Sequence, residues 1–231
     1  SLLTERTKVL FLNTPSNPTG AVLDEADLKE LATLAVEHDL TVVSDEPYEK
    51  LVYDGRRHIS IGSLPGMAER TLTVNSFSKA FAMTGWRVGW MVVPPSLVRS
   101  AETLQQNLSI SVPTLSQIAA EAAFDGRVEM DVIKHGYEEN RRILIEGLPK
   151  VGLTEFLPAD GAFYLYADVS KFAADSYEFA KTMLQQAHIA ATPGIDFDPF
   201  HGKSFVRFSY SRSTQEITEA VARITRWLAK G

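Results

Sequence analysis

Short apolar runs alternate with stretches of helical periodicity along the first half of the chain. Residues 8–13 (KVLFLN) form a compact apolar run that stops at Thr14-Pro15-Ser16-Asn17-Pro18-Thr19-Gly20. A strand ending in a turn is expected there, because proline and glycine break both helices and ladders. From Asp24 onward, Leu28, Leu31, Leu34 and Ala35 fall on one helix face. Residues 40–44 (LTVVS) read as the next buried strand. Strand, helix, strand is a βαβ unit, whose strands run parallel. Further strands are predicted at 71–75 and 87–93, and helices at 95–108, 114–125 and 128–148, the last long enough to bridge two domains. Beyond Gly152 the pattern changes to strand 162–167, helix 176–187, strand 204–209 and helix 214–229. The expected fold is α/β: a mostly parallel-sheet domain over residues 1–140, then a smaller α+β domain over 141–231.

The polar residues fall at informative places. Ligands of open α/β sheets bind beyond the carboxyl ends of the strands. Asn17 follows the first strand, Asp45 ends the second and Lys79 follows the third. Only ten residues, 76–85, separate Asn75 from Trp86. A parallel crossover needs a dozen or more, so the fourth strand is expected to run antiparallel and to start with Arg87 at the same rim. Taken singly, each residue has an ordinary reading: a solvated lysine, a turn-capping aspartate, a turn-forming asparagine, an arginine paired with a surface acid. Together on one rim they point to a site.

Composition narrows the classes. With 231 residues, 45% hydrophobic and 23% charged, the chain can bury a substantial core. A net charge of −6, from 29 acids against 23 bases, argues against a nucleic-acid partner. The absence of cysteine excludes disulfides, a thiol nucleophile and thiolate metal sites. The histidines at 38, 58, 135, 188 and 201 lack ligand spacing, so no metal is expected. Gly202-Lys203-Ser204 is not a phosphate loop, because Phe197 stands where the first glycine is needed. Apolar runs are too short to span a bilayer and no charged-then-apolar leader opens the chain, so a cytoplasmic location is expected.

Five motifs in order carry a family resemblance: Ser16-Asn17-Pro18-Thr19-Gly20, Ser44-Asp45-Glu46-Pro47-Tyr48, Ser76-Phe77-Ser78-Lys79 leading to Gly85-Trp86-Arg87-Val88-Gly89, Gly161-Ala162-Phe163-Tyr164, and Val206-Arg207-Phe208-Ser209-Tyr210. Over essentially its whole length the chain resembles the class I/II aminotransferases. These are pyridoxal-phosphate enzymes of fold type I, and the likeness is to the aspartate and aromatic side of the family. The resemblance implies that Lys79 forms the imine with pyridoxal 5'-phosphate and that Asp45 pairs with its pyridine nitrogen. It implies Tyr48 and Asn17 as donors to the phenolic oxygen, Ser76, Ser78 and Arg87 as phosphate ligands, and Arg207, with Asn17 nearby, as the substrate-carboxylate clamp. It further implies a cis Asn17–Pro18 bond, an amino acid and a 2-oxo acid as substrates, ping-pong kinetics and a homodimer at full length. Family members carry a front portion with a Gly-rich phosphate loop, whereas this sequence has no Gly-x-Gly. The chain alone is therefore expected to be incomplete and poorly active. A lyase or decarboxylase of the same fold, the aminotransferase-like effector half of a transcription regulator, and an inert fragment stay open as alternatives.

Overall fold

The structure is a computed structural model and describes residues 2–229. The chain forms two compact units. One holds the residues up to Pro15 together with Val22–Met130; the other holds Ser16–Ala21 and the residues from Asp131 onward.

The first unit is built on a four-stranded sheet, with β1 (Val9–Asn13), β2 (Thr41–Asp45), β3 (Thr71–Ser76) and β4 (Gly89–Val92) side by side in that order. β1, β2 and β3 pair in parallel, and β4 runs antiparallel to β3, as the short connection requires. Helix α1 (Glu25–Glu37) starts where Asp24 and Asp27 form a reciprocal capping box, which satisfies two backbone donors that no helix turn can reach. Its face of Leu28, Ala32 and Ala35 is buried against Leu12, Val42, Ile61 and Met67. Truncating the fully buried Leu28 to Ala would cost about 2–5 kcal/mol. The parallel connection from β2 to β3 holds no α-helix. It folds around one 3₁₀ turn (Ile61–Ser63) and buries Tyr48, Leu51, Val52, Tyr53 and Met67. Helices α2 (Val98–Leu108) and α3 (Thr114–Ala123) follow, and α4 (Arg127–Gly147) starts in this unit.

Several element ends shift by a residue or two from expectation, and two of the shifts have a clear cause in the backbone. Pro95–Leu97 form a 3₁₀ turn, and the α-helix begins only at Val98, past Pro94-Pro95. Arg87 does not open β4. Its φ of 53° is left-handed, which no ladder residue adopts, so the strand begins two residues later at Gly89.

The second unit contains an antiparallel sheet in the order β5 (Tyr164–Asp168), β7 (Phe205–Ser209), β6 (Thr192–Pro193). Helix α5 (Ser176–Ala187) is capped by Asp175, and α6 (Thr214–Leu228) by a Ser213/Glu216 capping box. Leu165, Ala167, Met183, Val206, Ile217 and Ile224 are buried here. The loop Ser16–Ala21 is stitched into this unit by Gly161 N–H donating to Gly20 O at 2.8 Å. Gly20 has φ 71°, and a Cβ there would meet Ala159 Cα and Tyr164 O at 3.0 Å, so only glycine fits. The peptide bonds Thr14–Pro15 and Asn17–Pro18 are both cis; the second was expected.

Candidate active site

In the first unit, parallel register sets Asn13 at the end of β1 beside Asp45 at the end of β2. Asn13 Nδ2 donates to Asp45 Oδ2 at 2.9 Å and, more weakly, to Asp45 O at 3.3 Å. Thr14 N–H also donates to Asp45 O. Burial pushes the Asp45 carboxyl above its ordinary range; the Asn13 amide pulls it back in part, and the charge of Glu46 adds to the rise. One amide does not compensate for that desolvation, so the site favours a cationic or N–H partner for Asp45.

Lys79 sits on the loop that leaves β3, and each turn of that loop is pinned. Asn75 Oδ1 accepts from Ser76 N–H at 2.7 Å, and Ser76 Oγ accepts from Ser78 N–H at 3.0 Å. The Thr84 hydroxyl donates to Ser78 O at 2.9 Å, while Ala82 N–H donates to Lys79 O at 3.1 Å. On either side of Lys79, Phe77 and Phe81 anchor in an aromatic cluster with Trp90 and Phe124, with ring centroids 4.7 to 6.2 Å apart. The ammonium of Lys79 lies 5.8 Å from the ring centroid of Tyr48, which is buried. Arg87 is exposed, and its Nη1 donates to Thr84 O at 3.0 Å, so Thr84 ties it to the loop of Ser76, Ser78 and Lys79. Every sequence-predicted residue of this group except Asn17 thus lies in the first unit.

Asn17 lies in the second unit, with Arg207. Arg207 is central in β7, opposite Tyr166 of β5 and Thr192 of β6. Its Nη1 donates to Asn17 Oδ1 at 2.6 Å and its Nη2 to Thr192 Oγ1 at 3.2 Å. The ring centroids of Tyr164 and Phe197 lie 4.2 and 4.7 Å from its guanidinium carbon. Its Nε is buried without a hydrogen-bond partner. An unmet buried donor on a guanidinium is costly, and a carboxylate is the acceptor whose geometry matches it.

Asn13, Thr192, Tyr164 and Phe197 are the residues that sequence reasoning missed. Asn13 was within reach, since it ends a strand parallel to the one ending in Asp45. Thr192 lies on a strand of only two residues, too short to leave a pattern. No helix among the described residues is long and apolar enough to cross a membrane.

The family profile described as aminotransferase class I and II matches residues 1–224. Among curated relatives, the valine–pyruvate aminotransferase of Mycobacterium tuberculosis is 43% identical over 93% of this chain and 55% of its own length. The aspartate aminotransferase of Pyrococcus abyssi is 41% identical over 98% of this chain and 58% of its own. A crystal structure of an aminotransferase from Mycobacterium tuberculosis superposes with a TM-score of 0.91 at 41% identity, covering 97% of this chain and 58% of that one. An aromatic aminotransferase from Pyrococcus horikoshii gives 0.90 at 38%, covering 99% and 62%. The chain thus spans a little over half the length of the relatives it matches.

Proposed function

The chain belongs to the class I and II aminotransferases, and on that premise we propose that it carries the lysine and cofactor-binding residues of an enzyme moving an amino group from an amino acid to a 2-oxo acid through pyridoxal 5'-phosphate. The observation that carries this reading is the half-buried Asp45 carboxylate, raised by desolvation and steadied by Asn13, in one unit with a lysine poised over Tyr48.

The donor set fits that cofactor. Asp45, ionised, would pair with a protonated ring nitrogen, which would offset its desolvation. Tyr48 and Asn17 supply donors for the phenolic oxygen. Ser76, Ser78 and Arg87 supply hydroxyls and a guanidinium fork for the phosphate. Pyridoxal phosphate, when bound, would supply an electron sink for the substrate Cα and a carbonyl group to carry the amino group. Lys79 would hold the cofactor through Nζ, and its free amine would be the group that moves a proton as base and then acid. Arg207 holds the α-carboxylate, with its unmet Nε as the free donor. The enzyme is proposed to be cytoplasmic and, at full length, a homodimer.

The test uses the full-length protein loaded with pyridoxal phosphate. An L-amino acid alone should release one equivalent of 2-oxo acid per subunit and leave the cofactor aminated, and a second 2-oxo acid should restore it. Release of carbon dioxide or ammonia in place of the 2-oxo acid would overturn the reading in favour of a decarboxylase or lyase.

A further inference from the structure

Strand β2 ends at Asp45 and a second acid, Glu46, follows at once; only the first has been given a task. In an extended chain adjacent side chains face opposite ways. Glu46 shares its face with Ser44, whose hydroxyl donates to Glu46 Oε1 at 2.7 Å. The Ser60 hydroxyl donates to the same oxygen at 2.8 Å, and His58 Nε2 lies 2.8 Å from Oε2. The Glu46 side chain is 1% exposed and that of His58 8%. A carboxylate this buried persists only when donors surround it, and here each of its oxygens has one or more.

One role is plain: His58 and Ser60 belong to the helix-free connection between β2 and β3, and Glu46 staples it to the strand. The backbone points further. The peptide joining Asp45 to Glu46 is held on both sides, Asp45 O by Thr14 N–H at 3.3 Å and Glu46 N–H by Val74 O at 2.8 Å. The anchored Glu46 side chain closes the last freedom at this strand end, so the Asp45 side chain leaves a fixed Cα toward Asn13.

We propose that Glu46 and His58 are positioning residues for Asp45: the pair fixes the direction of that carboxylate, and through it the protonation of the cofactor's ring nitrogen. The proposal rests on the reading of Asp45 as the nitrogen's partner.

The experiment loads the full-length protein with pyridoxal phosphate labelled with nitrogen-15 in the ring and compares Glu46→Gln, His58→Ala, His58→Gln and Asp45→Asn. In Glu46→Gln and His58→Ala the ring-nitrogen resonance should move part of the way toward its position in Asp45→Asn. Their kcat should fall about ten- to a hundredfold with KM changed by less than about threefold. His58→Gln, which restores a donor to Glu46, should recover most of the loss. If Glu46→Gln or His58→Ala does not fold, Ser60→Ala carries the test, with a smaller displacement in the same direction. Variants that lose thermal stability but keep the wild-type resonance and kcat would reduce the cluster to a staple and overturn the proposal. If Asp45→Asn itself leaves the resonance unmoved, the reading of Asp45 fails and this inference falls with it; if Asp45→Asn alone moves it, only the inference falls.

Discussion

Arg207 donates to Asn17 Oδ1 at 2.6 Å across 190 residues of sequence. The bond fixes one edge of the guanidinium, and Tyr164 and Phe197 fix its plane. A group so held loses little freedom on receiving a carboxylate. In the full-length enzyme, Arg207→Ala should cut kcat/KM by roughly two to four orders of magnitude, the worth of a charge-assisted contact of about 3–5 kcal/mol. Cofactor affinity, measured by equilibrium dialysis, should stay unchanged. A variant that loses cofactor, or that turns over amino acids normally, would place the substrate clamp elsewhere.

Lys79 is expected to be the residue that binds the cofactor covalently. Borohydride reduction of the loaded full-length protein, followed by peptide mapping, should label Lys79. Label on Lys50, which is paired with Glu49 at 3.3 Å, or on Lys203 would sink the assignment.

Asp45 yields a prediction with a definite sign. Its carboxyl is raised above 3.8, first by burial. When the folded value exceeds the unfolded one, the group's contribution to stability is complete below the unfolded value and is lost as pH rises through the folded one. Cofactor-free Asp45→Asn should therefore be more stable than the parent at neutral pH, with the advantage vanishing below about pH 4. Urea midpoints at several pH values measure this. The same variant, loaded, should lose most turnover while Lys79 still captures the cofactor. Near-parental turnover would show that Asp45 is not the nitrogen's partner.

The sheet of the first unit shows apolar side chains to solvent on both edge strands: Val9 and Phe11 on β1 are 53% and 65% exposed, and Met91 and Val92 on β4 are 47% and 61%. Open, apolar edges invite pairing. The 231-residue chain by itself should self-associate in light scattering across a dilution series, and Phe11→Lys should reduce the effect. It should also bind pyridoxal phosphate weakly, with Ser76, Ser78 and Arg87 as its phosphate donors. A monodisperse monomer that takes up one equivalent of cofactor tightly would contradict both expectations.

Where local chemistry decides the outcome, the fold was legible. Asp24 announces α1 because its carboxylate caps the first turn, and the ten residues between β3 and Trp86 leave no room for a parallel crossover. The strand-end positions of Asp45 and Lys79 were legible for the same reason. Arg87 was misread as a strand residue because its left-handed φ belongs to the tight turn before it, which a run of Val and Trp conceals. The buried side of the Glu46 cluster could not be read either: His58 and Ser60 lie in a connection without periodicity, and only folding brings them to one carboxylate. Likewise, nothing local to Asn17 discloses Arg207.

The placement of Ser16–Ala21 with the second unit has a consequence for recombination between relatives. A chimera that exchanges only the residues from Asp131 onward keeps the parental loop and sets it against a foreign Ala159, Gly161 and Arg207, so the 2.8 Å and 2.6 Å bonds that the loop makes must form between sequences never selected together. The natural unit of exchange is discontinuous: six early residues must travel with the late ones. Breakpoints at Pro15 and Ala21, used with one near Met130, should give more active hybrids than the single late breakpoint that the linear order suggests.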